Sequence, residues 1–281
     1  MSVKDLLAEG SHPAVYQVHL PLSMHTLILV TSAIEARRAE LGTRWRKATA
    51  FEQAKLALAH LRHDQRLSDL AVANGVSVST ISRWVDEVVD LMARRAPRLN
   101  RVLAAIAASG QEVVLLDGTL VRTRRRTGRA NRPNYSSKHK CHGLLFLALT
   151  DTEGNLLWIS MARPGGSSEV TAARRDRIVE RLRRAGLAAI GDLGFAYVED
   201  KEVREGGDVG IVTGFRATRG HPLTDAQKEA NALVSRERAA NEHGFAALKN
   251  WRILAKLRIN ARRGTTLLRA LLVLTRMEAD R

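Results

Sequence analysis

The apolar residues of this chain change their spacing near residue 110, and that change restricts the fold more than any other feature. Before it they recur at helical intervals; after it short unbroken runs bounded by Gly, Asp and Thr appear, with helical stretches among and after them. The first pattern belongs to helices with one buried face, the second to strands covered on both sides. In the first part TLILVTSAIEARRAEL reads as a helix ended at Gly42, another runs from Phe51 through Leu56, Ala59 and Leu61, and LSDLAVAN (67–74) gives the next. Gly75 then supplies a left-handed turn residue, Ser77 an N-cap, and VSTISRWVDEVVDLMARR a helix that ends before Pro97.

In the second part EVVLLD (112–117) reads as a strand broken by Gly118-Thr119, and GLLFLALTD (143–151) with NLLWISM (155–161) as a hairpin turning at Thr152-Glu153-Gly154. A single amphipathic helix is expected over 169–186, strands over 187–192 and 209–214, and a long helix from Thr224 to about Leu257. The order βββαβ, a further strand and a long helix is the ribonuclease-H-like arrangement. The expected fold class is therefore α/β: a mixed sheet flanked by helices, preceded by an all-α helix-turn-helix module. The expected boundaries are 1–42, a segment without an assigned role, 43–105 for the helix-turn-helix, and 106–281 for the sheet domain.

Charge narrows the partners. The chain carries 45 Lys and Arg against 29 Asp and Glu, a net charge of +16. Val121–Gly143 holds eight of the bases and His243–Met277 another eight, with no acid in either, so these two segments account for the whole excess. Clustered cations in a chain that is 45% apolar indicate a polyanionic partner, because each phosphate neutralised releases condensed counterions. The alternative is a solvated basic face. LLRALLVL near the C-terminus is broken by Arg269, so no membrane span is expected. Residues 1–10 lack a secretory pattern, and a single cysteine, Cys141, excludes a disulfide framework; the expected compartment is the cytoplasm.

Counted from Leu67, the segment has Ala71 where two helices cross, Gly75 at the turn, and Ile81 and Trp84 on the buried side of the following helix. A helix-turn-helix requires that set. The opposite side offers Ser79, Thr80, Ser82 and Arg83 to duplex DNA, as short polar groups and one fork donor suited to phosphates and base edges. An ordinary helical hairpin with a glycine turn is the competing interpretation.

Three acids stand at special positions. Asp117 ends one apolar run, Asp192 ends another, and Glu242 lies within the long late helix in a stretch otherwise free of acids. In a ribonuclease-H-like sheet the first and fourth strands are adjacent and the late helix crosses beside them, so the three carboxylates are expected to converge. Hard divalent cations take such oxygen ligands together with phosphate and water.

These segments resemble the DDE-superfamily transposases of bacterial insertion sequences, the Harbinger-related group with an N-terminal helix-turn-helix. The resemblance runs from about Trp45 to the C-terminus and rests on LRHDQRLSDLA, VVLLDGTL, YSSKHKCHG, IGDLGF and NEHGFAALKNWRIL. It implies a catalytic triad of Asp117, Asp192 and Glu242 that also serves as the metal ligands, holding two Mg²⁺ or Mn²⁺ ions. It further implies cleavage and strand transfer on double-stranded DNA, both element ends and target, by a homo-oligomer assembled on DNA. Arg124, Arg125, Lys138, Lys140, Lys249 and Arg252 are the expected phosphate contacts, alongside Ser79, Thr80 and Arg83. Two positions depart from the family pattern: Ser168-Glu169 stands where it has His-Asp, and Ser137 where it has glycine. An alternative is therefore an inactive relative that acts as a helix-turn-helix regulator. His139, Cys141 and His142 lack a fourth zinc ligand and are assigned to DNA contact or hairpin structure, and Phe245 and Trp251 to the core.

Overall fold

The computed structural model describes residues 18–43, 46, 48–125, 131–196, 198, 210–255 and 257–279, excepting the side chains of 240–242. Helix α1 (Met24–Glu40) is capped by Ser23 and followed by Gly42 at φ 61°; α2 (Ala50–His63) opens with a reciprocal Thr49–Glu52 capping box. Helices α3 (Leu67–Ala73) and α4 (Val78–Arg95) enclose the expected turn. Gly75 sits there at φ 62° with open space where a Cβ would be, so its requirement is conformational rather than steric. Ser77 accepts from the backbone N–H of Thr80 at 3.2 Å, capping α4.

Ile81, Trp84, Val85, Val88 and Met92 form the buried stripe of α4. Their partner comes from the other end of the chain. Helix α9 (Ala261–Ala279) lays Leu267, Leu268, Leu271, Leu272 and Leu274 into the same core. Each such side chain contributes on the order of 1.5–3 kcal/mol when fully buried. The start of α1 is tied to the same helix, since the Ser23 amide and hydroxyl donate to Glu278 Oε1 at 2.9 and 2.7 Å. The described part of the N-terminal segment thus packs into the helical module.

Helix α5 (Leu99–Ala108) spans the boundary expected at 105/106 and belongs to the sheet, against which Leu99, Val102, Leu103 and Ile106 are buried. The sheet consists of β1 (Val113–Arg122), β2 (Tyr135–Ser136), β3 (Cys141–Thr150), β4 (Leu156–Ile159), β5 (Arg163–Pro164), β6 (Ala188–Gly191) and β7 (Ile211–Val212). Its order among the described residues is β2-β3-β1-β6-β7, with β4 and β5 also paired to β3. β3 runs antiparallel to β1; β6 runs parallel to β1 and β7 parallel to β6, giving the mixed sheet that the sequence implies. Along β3, Leu144, Phe146 and Ala148 enter the core shared with α9, while Leu145, Leu147 and Leu149 enter the core shared with α5, α6 (Glu169–Arg175) and α7 (Ile178–Arg184). Both faces are covered, which is why the strands read as unbroken apolar runs.

Three expectations are corrected. β1 does not break at Gly118-Thr119 but continues to Arg122, because its antiparallel ladder with β3 runs unbroken from Leu115 to Arg122. The helix expected over 169–186 is two helices, separated at Asp176-Arg177, where Arg177 takes φ 52° and Asp176 is held by Arg163 at 2.6 Å. The late helix α8 (Asp225–Lys249) stops before Trp251, whose indole N–H donates to Thr275 on α9 at 3.0 Å.

Candidate active site

Strand register fixes the first part of the site. Leu116 on β1 pairs with Gly191 on β6, so the next residues, Asp117 and Asp192, stand side by side where the two parallel strands part. Each carboxylate accepts from a nearby backbone amide: Gly118 N–H donates to Asp117 Oδ1 and Gly194 N–H to Asp192 Oδ1, both at 2.8 Å. In this way the sequence places two acids side by side just past the last β1–β6 pair.

A third described carboxylate joins them, and it is Glu169. Glu169 lies in the first turn of α6 beyond the N-cap Ser168, and its side chain is 14% exposed. Gly118 is in phase with Val114 and Leu116, on the face that α6 covers, and its missing side chain leaves the room that Glu169 fills. A Cβ at Gly118 would stand 2.7 Å from Glu169 Oε1 and 2.8 Å from its Cγ, and Glu169 Oε2 closely approaches Gly194 as well. The acid at the departed His-Asp position was the available sequence signal for this residue.

Burial pushes the Asp117 carboxyl above its ordinary value; the Gly118 N–H and Arg238 oppose the shift, and Asp192 adds to it. Burial likewise raises Glu169, with Asp192 and Asp117 adding to the shift and Lys138 opposing it. The cations present are not close enough to cancel the cluster. Arg238 Nη2 on α8 lies 3.9 Å from Asp117 Oδ1, and Lys138 Nζ lies 3.7 Å from Glu169 Oε1. Arg238 Nε is buried and has no hydrogen-bond partner among the described residues.

Helix α8 packs against β1 and β6, as expected of the late helix. Glu242 is on α8 one turn beyond Arg238; its side chain lies outside the described residues. Among the described residues no group of three or more His, Cys, Asp or Glu is arranged to hold a metal ion as it stands. The donor chemistry nevertheless fits a hard divalent cation. Mg²⁺ commonly uses one or two carboxylates and completes its shell with substrate phosphate and water, and the neighbouring oxygens of Asp117 and Asp192 are such a pair.

The expected DNA contacts fall in three places. On α4, Ser79 and Arg83 are exposed and Thr80 half-buried, with Arg83 Nε donating back to Ser79 O at 3.3 Å. Lys138 and Lys140 are exposed in the turn joining β2 to β3, and only Lys138 reaches the carboxylate cluster. Arg124 and Arg125 are exposed beyond the end of β1, and Lys249 and Arg252 beyond or at the end of α8. Arg126, Arg129 and Lys256, counted in the two basic segments, lie outside the described residues. Phe245 and Trp251 are core residues, as expected.

Known proteins match the same two parts of the chain. A family model described as helix-turn-helix of DDE superfamily endonuclease matches residues 47–98, which contain α2 to α4. A chain named "Putative transposase for insertion sequence element IS112", from Streptomyces albus G, is 28% identical over 213 residues, covering 74% of this chain and 72% of its own length. A second family model, described as DDE superfamily endonuclease, matches residues 116–276, from the end of the β1–β6 register through α8 and most of α9. With more than half its length inside that match, the chain belongs to the DDE superfamily endonucleases.

Proposed function

We propose that the chain is a DNA transposase whose helix-turn-helix binds the ends of its element and whose sheet domain cuts and rejoins DNA at Asp117, Asp192 and Glu242. The observation that carries this reading is the β1–β6 register, which makes Asp117 and Asp192 neighbours in space although 75 positions apart in sequence. Asp117 and Asp192 would hold the metal, with Glu242 from α8 and Glu169 from α6 as further donors. A bound pair of Mg²⁺ or Mn²⁺ ions supplies activation of the attacking hydroxyl and stabilisation of the leaving oxygen.

The chain's own residues have separate tasks. Arg238 and Lys138 flank the acids and offset their repulsion toward a phosphodiester. Gly118 and Gly194 let Glu169 approach the two aspartates. Ser79, Thr80 and Arg83 read the end sequence, and Lys140, Lys249, Arg252, Arg124 and Arg125 hold the backbone on either side. In the first step water adds to the phosphorus as the 3′-oxygen leaves with a proton. In the second, that 3′-hydroxyl adds to a target phosphorus and releases a new 3′-hydroxyl. No covalent enzyme intermediate is required, and two ends acting together call for more than one copy of the chain.

The test is incubation with labelled end-containing duplex and Mg²⁺ or Mn²⁺. Nicking at the element end by the wild type that disappears in Asp117→Ala, Asp192→Ala and Glu242→Ala, with DNA binding retained, supports the transposase. Tight end-specific binding with no scission in any divalent ion would instead make the chain a DNA-binding regulator.

A further inference from the structure

An open groove of about 960 Å³ lies where the helical module meets the sheet. It follows α5 from the preceding loop to Ser109, a run of roughly 16 Å at the helical rise. Five arginines line it: Arg94 and Arg95 at the end of α4, Arg98 and Arg101 at the start of α5, and Arg276 on α9. Among the described residues none of the five guanidinium groups makes an ion pair or a side-chain hydrogen bond. The acid on the groove wall, Asp151, is already engaged, accepting from Glu153 N at 3.0 Å, Asn155 N at 2.8 Å and Asn155 Nδ2 at 2.9 Å. Helix α5 also starts here with no side-chain cap and no acid in its first turn, which adds the positive end of its dipole.

Like charges gathered without counter-charges oppose folding by self-repulsion, so their retention calls for an external polyanion. Its cations gather at the junction of α4 and α5, joined by Arg276 from α9, which suits a ligand carrying several phosphates. It is also distinct from two of the three places already assigned to DNA, the exposed side of α4 and the carboxylates. Arg94 is about 16 Å along α4 from Arg83, and Asp151 on the groove wall is about 10 Å along the chain from Ala148, the residue paired with Asp117. We propose that this groove clamps the backbone of a further stretch of duplex DNA, separate from the stretch read by α4 and from the one held at the acids. The proposal rests on the DNA-binding reading above.

The test compares full-length wild type with an Arg94→Gln/Arg95→Gln/Arg98→Gln/Arg101→Gln variant and the corresponding four Arg→Lys changes, each checked for a native thermal transition. Affinity for end-containing and random duplex is measured from about 50 to 200 mM salt. The glutamine variant is expected to lose affinity equally for both duplexes and to flatten the log–log salt slope by about 0.9 per phosphate contact removed, with the lysine variant near wild type. Nicking per bound complex at saturating DNA should stay unchanged. A folded glutamine variant with the wild-type slope overturns the groove assignment alone. A wild type that binds no duplex overturns the DNA reading and the groove with it.

Discussion

Replacing Gly118 by alanine isolates the part of the site that Glu169 contributes. Gly118 lies within the unbroken β1–β3 ladder and is not among the positive-φ glycines, so alanine suits its backbone. Any penalty therefore comes from contact. The new methyl would stand 2.7, 2.8 and 2.9 Å from Oε1, Cγ and Cδ of Glu169, each inside ordinary van der Waals separation. The outer half of the Glu169 side chain must retreat by about half an ångström or more, and overpacking of this kind costs typically 1–3 kcal/mol. Misplacement on this scale near reacting groups can lower a rate by up to about 100-fold. The assay is a double-mutant cycle of Gly118→Ala with Glu169→Ala, read both by thermal unfolding and by metal-dependent nicking. Removing Glu169 should abolish the stability cost of the methyl, giving a coupling of about 1–3 kcal/mol. If Gly118→Ala unfolds and nicks like the wild type, or if its defect persists undiminished without Glu169, the proposed convergence of Glu169 on the two aspartates is refuted.

Other outcomes follow from neighbouring features. Burial raises the carboxyls of Asp117 and Glu169, so the folded metal-free chain holds their protons more tightly than the unfolded chain. Their contribution to stability is thus present at low pH and lost as pH rises through the raised values; relative to wild type, Asp117→Asn should gain thermal stability at neutral pH and lose that advantage on acidification. Thr275→Val leaves the buried Trp251 N–H without its acceptor and should cost about 1–3 kcal/mol by chemical denaturation. Leu271→Ala, at a fully buried position, should cost about 2–5 kcal/mol and shift one cooperative calorimetric transition; a separate, unshifted helix-turn-helix transition would contradict the shared core.

Local chemistry made much of the fold readable. Gly75 and Ser77 mark their turn because each satisfies a backbone demand within four residues, and the apolar runs of β1, β3 and β6 mark strands because both faces are covered. Asp192 was legible as a strand-end acid; Asp117 was singled out by the same apolar run, although β1 continues past it to Arg122. What escaped depends on partners far along the chain. The break at Asp176-Arg177 accompanies the pairing of Asp176 with Arg163 on β5, and the continuation of β1 through Gly118 depends on the facing strand. Glu169 sits 52 positions from Asp117 and reaches it only because α6 lies over a glycine, so spacing alone gives no hint of the approach. The partnership of α4 with α9 left no local mark either, since the apolar stripe of α4 looks the same whichever helix covers it.

That last partnership has a consequence for how the protein is made. The leucines that close the helix-turn-helix core, Leu267 to Leu274, are translated roughly 180 residues after α4. At the usual pace of synthesis the stripe of Ile81, Trp84 and Val88 waits on the order of ten to forty seconds for its cover. A ribosome-bound chain therefore presents an unfinished reading head throughout that interval. The completed helix-turn-helix core then arrives together with the completed endonuclease domain rather than ahead of it.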